Sequence, residues 1–128
     1  MFSTYFAQAQ RKDIQVDARI ALAEPLPVAE AELAIVFSNA LENAIHACAR
    51  LPEERRALRC RAISHPSLMF ECSNPYAGEV RFDGDGLPVS PRPGHGIGSQ
   101  SIAAFCRKHG ASYHYTAEDG QFTLRVIL

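Results

Sequence analysis

Between residues 28 and 50 the apolar side chains recur at spacings of three and one: Leu33, Val36, Phe37, Ala40, Leu41, Ala44, Ile45 and Cys48. That period puts all of them on one stripe of an amphipathic helix. Such a stripe must bury itself against a second layer, so the neighbouring segments decide the fold class. Upstream, Ile14, Val16, Ala18, Ile20 and Leu22 alternate with other residues over 14–22. This is the period of a half-buried strand, with the inward set on one side. The two prolines of EPLP (24–27) end it. Phe2, Tyr5, Phe6 and Ala9 within residues 1–11 predict a short helix before that strand.

Downstream of the long helix, ALRCRAIS (57–64) and SLMFECS (67–73) read as strands around a turn at His65-Pro66. Residues 74–98 hold most of the glycines and half of the prolines. Within them EVRF (79–82) predicts a short strand and DGDG (83–86) a turn. Few residues in 83–98 can pack, so this stretch is expected to be mobile. SQSIAAFCRKHG (99–110) predicts a helix closed by Gly110. ASYHYTA and FTLRVIL then form a hairpin around Glu118-Asp119-Gly120. The order is helix, strand, helix, strand, strand, loop, helix, strand, strand. It predicts an α+β two-layer sandwich, with one mixed, mostly antiparallel sheet and helices on one face.

The chain has 128 residues, 47% hydrophobic and 21% charged, which is one domain (1–128) with enough core to fold without a disulfide or a metal. Lys and Arg total 13 against 14 Asp and Glu. This balance argues against a nucleic-acid or membrane-surface protein, which needs a basic face. The cluster Arg50, Arg55, Arg56, Arg59 and Arg61 is interrupted by Glu53 and Glu54. It reads as cations near a helix C-terminus. No apolar stretch reaches the ~18 residues of a membrane span. In MFSTYFAQAQRKD the charges follow the apolar residues, the reverse of a signal peptide. Cys48, Cys60, Cys72 and Cys106 show no C-x-x-C spacing and read as buried free thiols.

Three features carry possible chemistry. Asn39 and Asn43 stand one turn apart at the edge of the long helix. Carboxamide oxygens there suit a hard cation such as Mg²⁺, which keeps waters and phosphates as its other ligands. On stability grounds two mid-helix asparagines are a cost. Gly94-His95-Gly96-Ile97-Gly98 leads straight into a helix, where glycines and free N–H groups can approach an anion. It lacks the Gly-Lys-Ser/Thr ending of a P-loop. Ser73-Asn74-Pro75 closes a predicted strand, where the Asn74 oxygen can meet a base amino group or simply start a turn.

Together and in this order, these features resemble the GHKL ATP-binding family of gyrase, heat-shock chaperone, histidine kinase and MutL. The likeness is greatest to the catalytic domain of Agr-type quorum-sensing receptor kinases, and it spans nearly the whole chain. LAIVFSNALENAIHAC looks like the N-box, FECSNP like the replacement for the D-x-G-x-G box, and GLPVSPRPGHGIGSQSI like the ATP lid with the second glycine box.

The resemblance implies a Bergerat-type GHKL fold and ATP with Mg²⁺ as ligands. It implies that Asn43 ligates the metal, Asn39 contacts phosphate or the metal's waters, and Asn74 sits where an Asp usually reads the adenine amino group. Gly94, Gly96 and Gly98 would let the lid fold over the phosphates, Arg92 would neutralise them, and the helix from Ser99 would donate N–H groups. Hydrolytic relatives carry a Glu at the position of Asn39, and an amide cannot accept a proton, which favours transfer over hydrolysis. Glu42 is one residue out of phase and reads as solvated. Ser99, Ala47 and His46 depart from the usual Leu, Tyr and basic residue. No Arg-His-Asp phosphoacceptor signature occurs, and His46, His65, His95, His109 and His114 read as structural.

The chain is thus expected to be the cytoplasmic catalytic part of a longer membrane sensor kinase. Its partners would be a dimerisation and phosphoacceptor domain and a downstream response regulator, and alone it would not autophosphorylate. The alternatives are a free-standing GHKL serine kinase that regulates a sigma factor, and a nucleotide-silent interaction module on the same fold.

Overall fold

The structure is a computed structural model that describes residues 2–89 and 97–128, without the Ile97 side chain. The elements are α1 (Ser3–Arg11), β1 (Gln15–Ala21), α2 (Glu30–Ala49), a 3₁₀ turn (Glu53–Arg55), β2 (Ala57–Ile63), β3 (Met69–Pro75), α3 (Ile97–His109), β4 (Ser112–Glu118) and β5 (Gln121–Ile127). The strands form one sheet in the order β1-β2-β3-β5-β4. β1 and β2 run parallel, and every other pair is antiparallel. The parallel pair follows from α2, which carries the chain back between the two strands.

All eight residues of the apolar stripe are buried on α2. They meet the inner face of the sheet, where Leu58, Cys60 and Ala62 of β2, Phe70 and Cys72 of β3, and Leu124 and Val126 of β5 are buried. The alternation in β2 and β3 leaves the other face to polar and charged residues, among them the ion pairs Arg61–Asp17 and Arg125–Glu71. A row of rings ties three elements together: Phe2 to Phe37 at 4.8 Å and Phe37 to Phe70 at 4.7 Å between centroids. The helices lie on one face, as the sequence predicts.

Three stretches need separate description. Residues 79–82 form no strand; Phe82 makes a single bridge to Pro88. Residues 83–89 are the described start of the stretch expected to be mobile, and they make hydrogen bonds of their own. Asp83 Oδ1 accepts from the N–H groups of Asp85 and Leu87, the Tyr113 hydroxyl donates to the Asp85 carbonyl, and Leu87 is buried. The inward set of the predicted strand 14–22 is only partly covered: Ile14, just before β1, is buried, but Ile20 remains 38% exposed. β1 is a sheet edge, and α1 packs only at its start. At the other end of the chain, Gly110 closes α3 with φ +68° while the Ala111 N–H donates to the Cys106 carbonyl. This is the Schellman closure that Gly permits without strain.

Arg56 explains part of the arginine cluster. Its guanidinium donates to the carbonyls of Ala49 and Leu51 at the end of α2 and of Lys12 at the end of α1, so it satisfies groups left open at both helix ends. All four cysteines are free and buried. Burial pushes the Cys60 thiol up to about 12, which keeps it protonated and unreactive. Among the described residues no helix is long and apolar enough to cross a membrane.

Candidate functional site

Asn39 and Asn43 fall on the edge of α2, Asn39 half-buried and Asn43 exposed. They project from one helix turn to the next because four residues nearly complete a turn. Gly98, in the first turn of α3, lies directly over Asn39. A Cβ built on Gly98 would sit 3.4 Å from both Cβ and Oδ1 of Asn39. At this distance a Cβ would make ordinary van der Waals contact, so the start of α3, with the positive end of its dipole, lies against that carboxamide. Ser99 follows and is buried. Arg92, Gly94 and Gly96 lie outside the described residues.

Asn43 shares a pocket with Asn74. The pocket is lined by Ala40, Asn43 and Ala44 of α2, Cys72 and Asn74 of β3, Phe122 and Leu124 of β5, and Tyr115 of β4. Asn74 pairs with Phe122 in register within β3 and is not a turn residue. Its side chain is only 2% exposed, and its Nδ2 donates to the Pro75 carbonyl at 2.8 Å. That bond sets the orientation of the carboxamide and leaves Oδ1 as its remaining acceptor. The Tyr115 hydroxyl is fully buried and has no hydrogen-bond partner among the described residues. Desolvation raises the phenol above its ordinary 10.0, so it remains an O–H donor at neutral pH. Among the described residues no charged side chain lines the pocket. Its inner space is about 20 Å³, room for one water, so a larger guest enters only when the lining shifts.

Glu42 points elsewhere: its Oε1 accepts from the Tyr5 hydroxyl of α1 at 3.3 Å. The absence of a base beside Asn39 on this helix follows from that phase difference. Among the described residues no three His, Cys, Asp or Glu side chains converge to hold a metal ion.

α3 runs antiparallel to α2, and the far ends of the two helices are pinned. Lys108 Nζ lies 3.0 Å from Glu32 Oε1, and His109 Nε2 bonds Glu32 Oε2. The bond from His109, and next that from Lys108, hold the Glu32 carboxyl below its ordinary 4.5. The folded chain therefore binds this proton less readily than the unfolded chain. The stabilisation is fully present above pH 4.5 and is lost as pH falls through the folded value. Glu32→Gln is expected to flatten stability against pH in this acid range, read from urea midpoints. An acid limb identical to that of the parent protein would refute the assignment.

The structure brings Asn43 together with Asn74, and Asn39 with Gly98, and it adds Tyr115, which the sequence does not single out. The alternation of ASYHYTA marks Tyr113 and Tyr115 as inward. Nothing in that alternation places Tyr115 beside the β3 asparagine, because that neighbourhood depends on β5 lying between the two strands.

This arrangement can be compared with known proteins. The GHKL domain family matches residues 29–128. The chain belongs to the GHKL domain family. Solved structures similar to this GHKL domain include the catalytic domain of histidine kinase ThkA, at 10% identity and TM-score 0.74, covering 99% of this chain and 87% of that one. The mycobacterial sensor histidine kinase MprB is similar at 14% identity and TM-score 0.65, covering 99% and 91%. Acinetobacter baumannii histidine kinase AdeS is similar at 13% identity and TM-score 0.64, covering 99% of this chain and 58% of that one. At these identities the likeness is one of fold. The search of curated proteins found no match to this chain.

Proposed function

We propose that this GHKL domain is the ATP-binding catalytic domain of a sensor histidine kinase, of the Agr-type quorum-sensing group. The observation that carries the reading is that Asn43 and Asn74, from different elements, line one pocket, while Gly98 at the start of α3 lies against Asn39. The adenine would enter beside Asn74, and its exocyclic amino group would donate to Oδ1. The phosphates would extend past Asn43 toward Asn39 and the N–H groups of α3, where the helix dipole favours anions.

The donor set at the rim consists of carboxamides, which suits a cation that brings most of its ligands with the nucleotide. Asn43 Oδ1 would be the protein ligand to Mg²⁺. When bound, Mg²⁺ supplies charge neutralisation on the phosphate oxygens. Arg92, Gly94, Gly96 and Ser99 are assigned to the phosphates by resemblance alone.

Asn39 orients but cannot deprotonate water, so the chain's own residues position the γ-phosphoryl group and do not activate a hydrolytic nucleophile. In the transfer, an N–P bond would form to a histidine imidazole on a separate dimerisation domain as the bond from the γ-phosphorus to its bridging oxygen breaks. ADP would leave with that oxygen. In this reading the domain works in the cytoplasm beneath a membrane-anchored sensor, and the phosphoryl group passes on to a response regulator.

The test is a calorimetric titration with a non-hydrolysable ATP analogue, with and without Mg²⁺, on the chain and on Asn43→Ala. Mg²⁺-dependent binding weakened at least about tenfold by Asn43→Ala is expected, since a charge-assisted ligand of this kind is worth about 1.5–3 kcal/mol. Asn43 is exposed and alanine is the better helix former, so the variant should remain as stable as the parent. No binding at millimolar nucleotide would favour the nucleotide-silent module, a second reading supported by the tightness of the pocket.

A further inference from the structure

The pocket contains a polar group that none of the roles above uses. The Tyr115 side chain lines the pocket with Cys72, Asn74, Phe122 and Leu124, and its hydroxyl is fully buried with no hydrogen-bond partner among the described residues. Buried hydroxyls in native proteins are nearly always bonded, because an unmade bond costs the full desolvation of the group. The neighbouring strands offer it nothing: Tyr115 faces Leu124 across the β4–β5 pair, and its ring packs against Phe122 at 5.8 Å. A dry, unpaired donor on a side chain that lines the pocket can meet a ligand acceptor once the lining shifts to admit a guest.

We infer that the Tyr115 hydroxyl is a base-reading group that donates a hydrogen bond to a ring nitrogen of the purine while Asn74 Oδ1 accepts from the exocyclic amino group. The inference rests on the nucleotide-binding reading above. The two side chains together offer one acceptor and one donor. The Pro75 carbonyl holds Asn74 Nδ2, so the carboxamide cannot easily swap its ends to present a donor instead. An adenine edge shows the complementary pair, an amino donor next to a ring-nitrogen acceptor. A guanine edge sets its carbonyl against the Asn74 oxygen. Tyr115 and Asn74 would therefore select adenine over guanine, with no charged residue involved. The phenol remains protonated at neutral pH, which maintains the donor.

The test uses Tyr115→Phe, which removes one oxygen and keeps the ring. Without ligand, its melting temperature should equal or exceed that of the parent, because an unsatisfied hydroxyl is lost. Its affinity for ADP should fall about three- to tenfold. The same comparison is then made with 1-deaza-ADP and 7-deaza-ADP. For the analogue that lacks the accepting nitrogen, parent and Tyr115→Phe should bind alike.

A clear drop in melting temperature without ligand would show that the hydroxyl has a partner inside the protein, and would overturn the inference. So would parent-like ADP affinity in the variant, or an equal loss for ADP and both analogues, which would mean altered packing. If the parent itself fails to bind ADP, the nucleotide reading falls and takes this inference with it. Parent binding with an unaffected variant overturns the Tyr115 role alone.

Discussion

Replacing Phe37 by alanine is expected to remove about 3–5 kcal/mol of folding stability. Phe37 is 2% exposed and sits between the rings of Phe2 and Phe70, 4.8 and 4.7 Å away. It is the point where α1, α2 and β3 meet, so the cavity left behind borders three elements and cannot close by moving one of them. The aromatic contacts add to the lost transfer energy. A domain of this size has about 5–15 kcal/mol in total, so the variant should melt near or below room temperature if the parent lies at the low end. Urea unfolding followed by circular dichroism gives the difference. Ile35→Ala is the control: Ile35 lies two residues earlier on the same helix but is 56% exposed. It should change stability by no more than about 0.5 kcal/mol. A Phe37→Ala cost of the same size as the control would contradict the core described above.

Asn74→Asp is expected to cost about 2–3 kcal/mol at neutral pH and much less in acid. The substitution keeps the shape but removes the Nδ2 donor, so a carboxylate oxygen faces the Pro75 carbonyl in a buried setting. Both burial and that carbonyl favour the protonated acid, which raises its folded-state pKa above the unfolded ~3.9. The folded variant then binds more protons than the unfolded one. Stability falls as pH rises through the unfolded value, and the penalty is complete above the folded one. Urea midpoints at acid and neutral pH for parent and variant measure it. A pH-independent difference would mean that the Asn74 carboxamide is not buried against Pro75. A nucleotide whose amino group donates to the new carboxylate should restore part of the loss in the neutral range. That recovery would report on the base pocket independently of Asn43.

Much of the scaffold is legible in local periodicity. The eight-residue stripe of α2, the alternation of β2 and β3, the β4–β5 hairpin and the Gly110 closure each depend on neighbours within a few positions. In each case residue chemistry at fixed spacing is sufficient. The places where the expectation fails also have local patterns, but other forces decide them. EVRF alternates like a strand, yet among the described residues its one bridge is Phe82–Pro88. The inward residues of β1 alternate equally well, yet an edge strand covered only at its start leaves Ile20 in solvent. The tethering of 83–89 depends on Tyr113, a residue of β4 far along the chain.

The candidate site divides in the same way. The phase of Asn39 and Asn43 beside the stripe, and of Glu42 away from it, was determined by the sequence, because a helix converts spacing directly into direction. Gly98 at the start of a helix was equally legible. The strand order β1-β2-β3-β5-β4 was decided only by the tertiary structure, and with it the meeting of Asn43, Asn74 and Tyr115 in one pocket. Local spacing assigns a side chain to a face of its own element. Which faces come together is decided by the joint burial of all apolar faces, a property of the whole chain that no single segment carries.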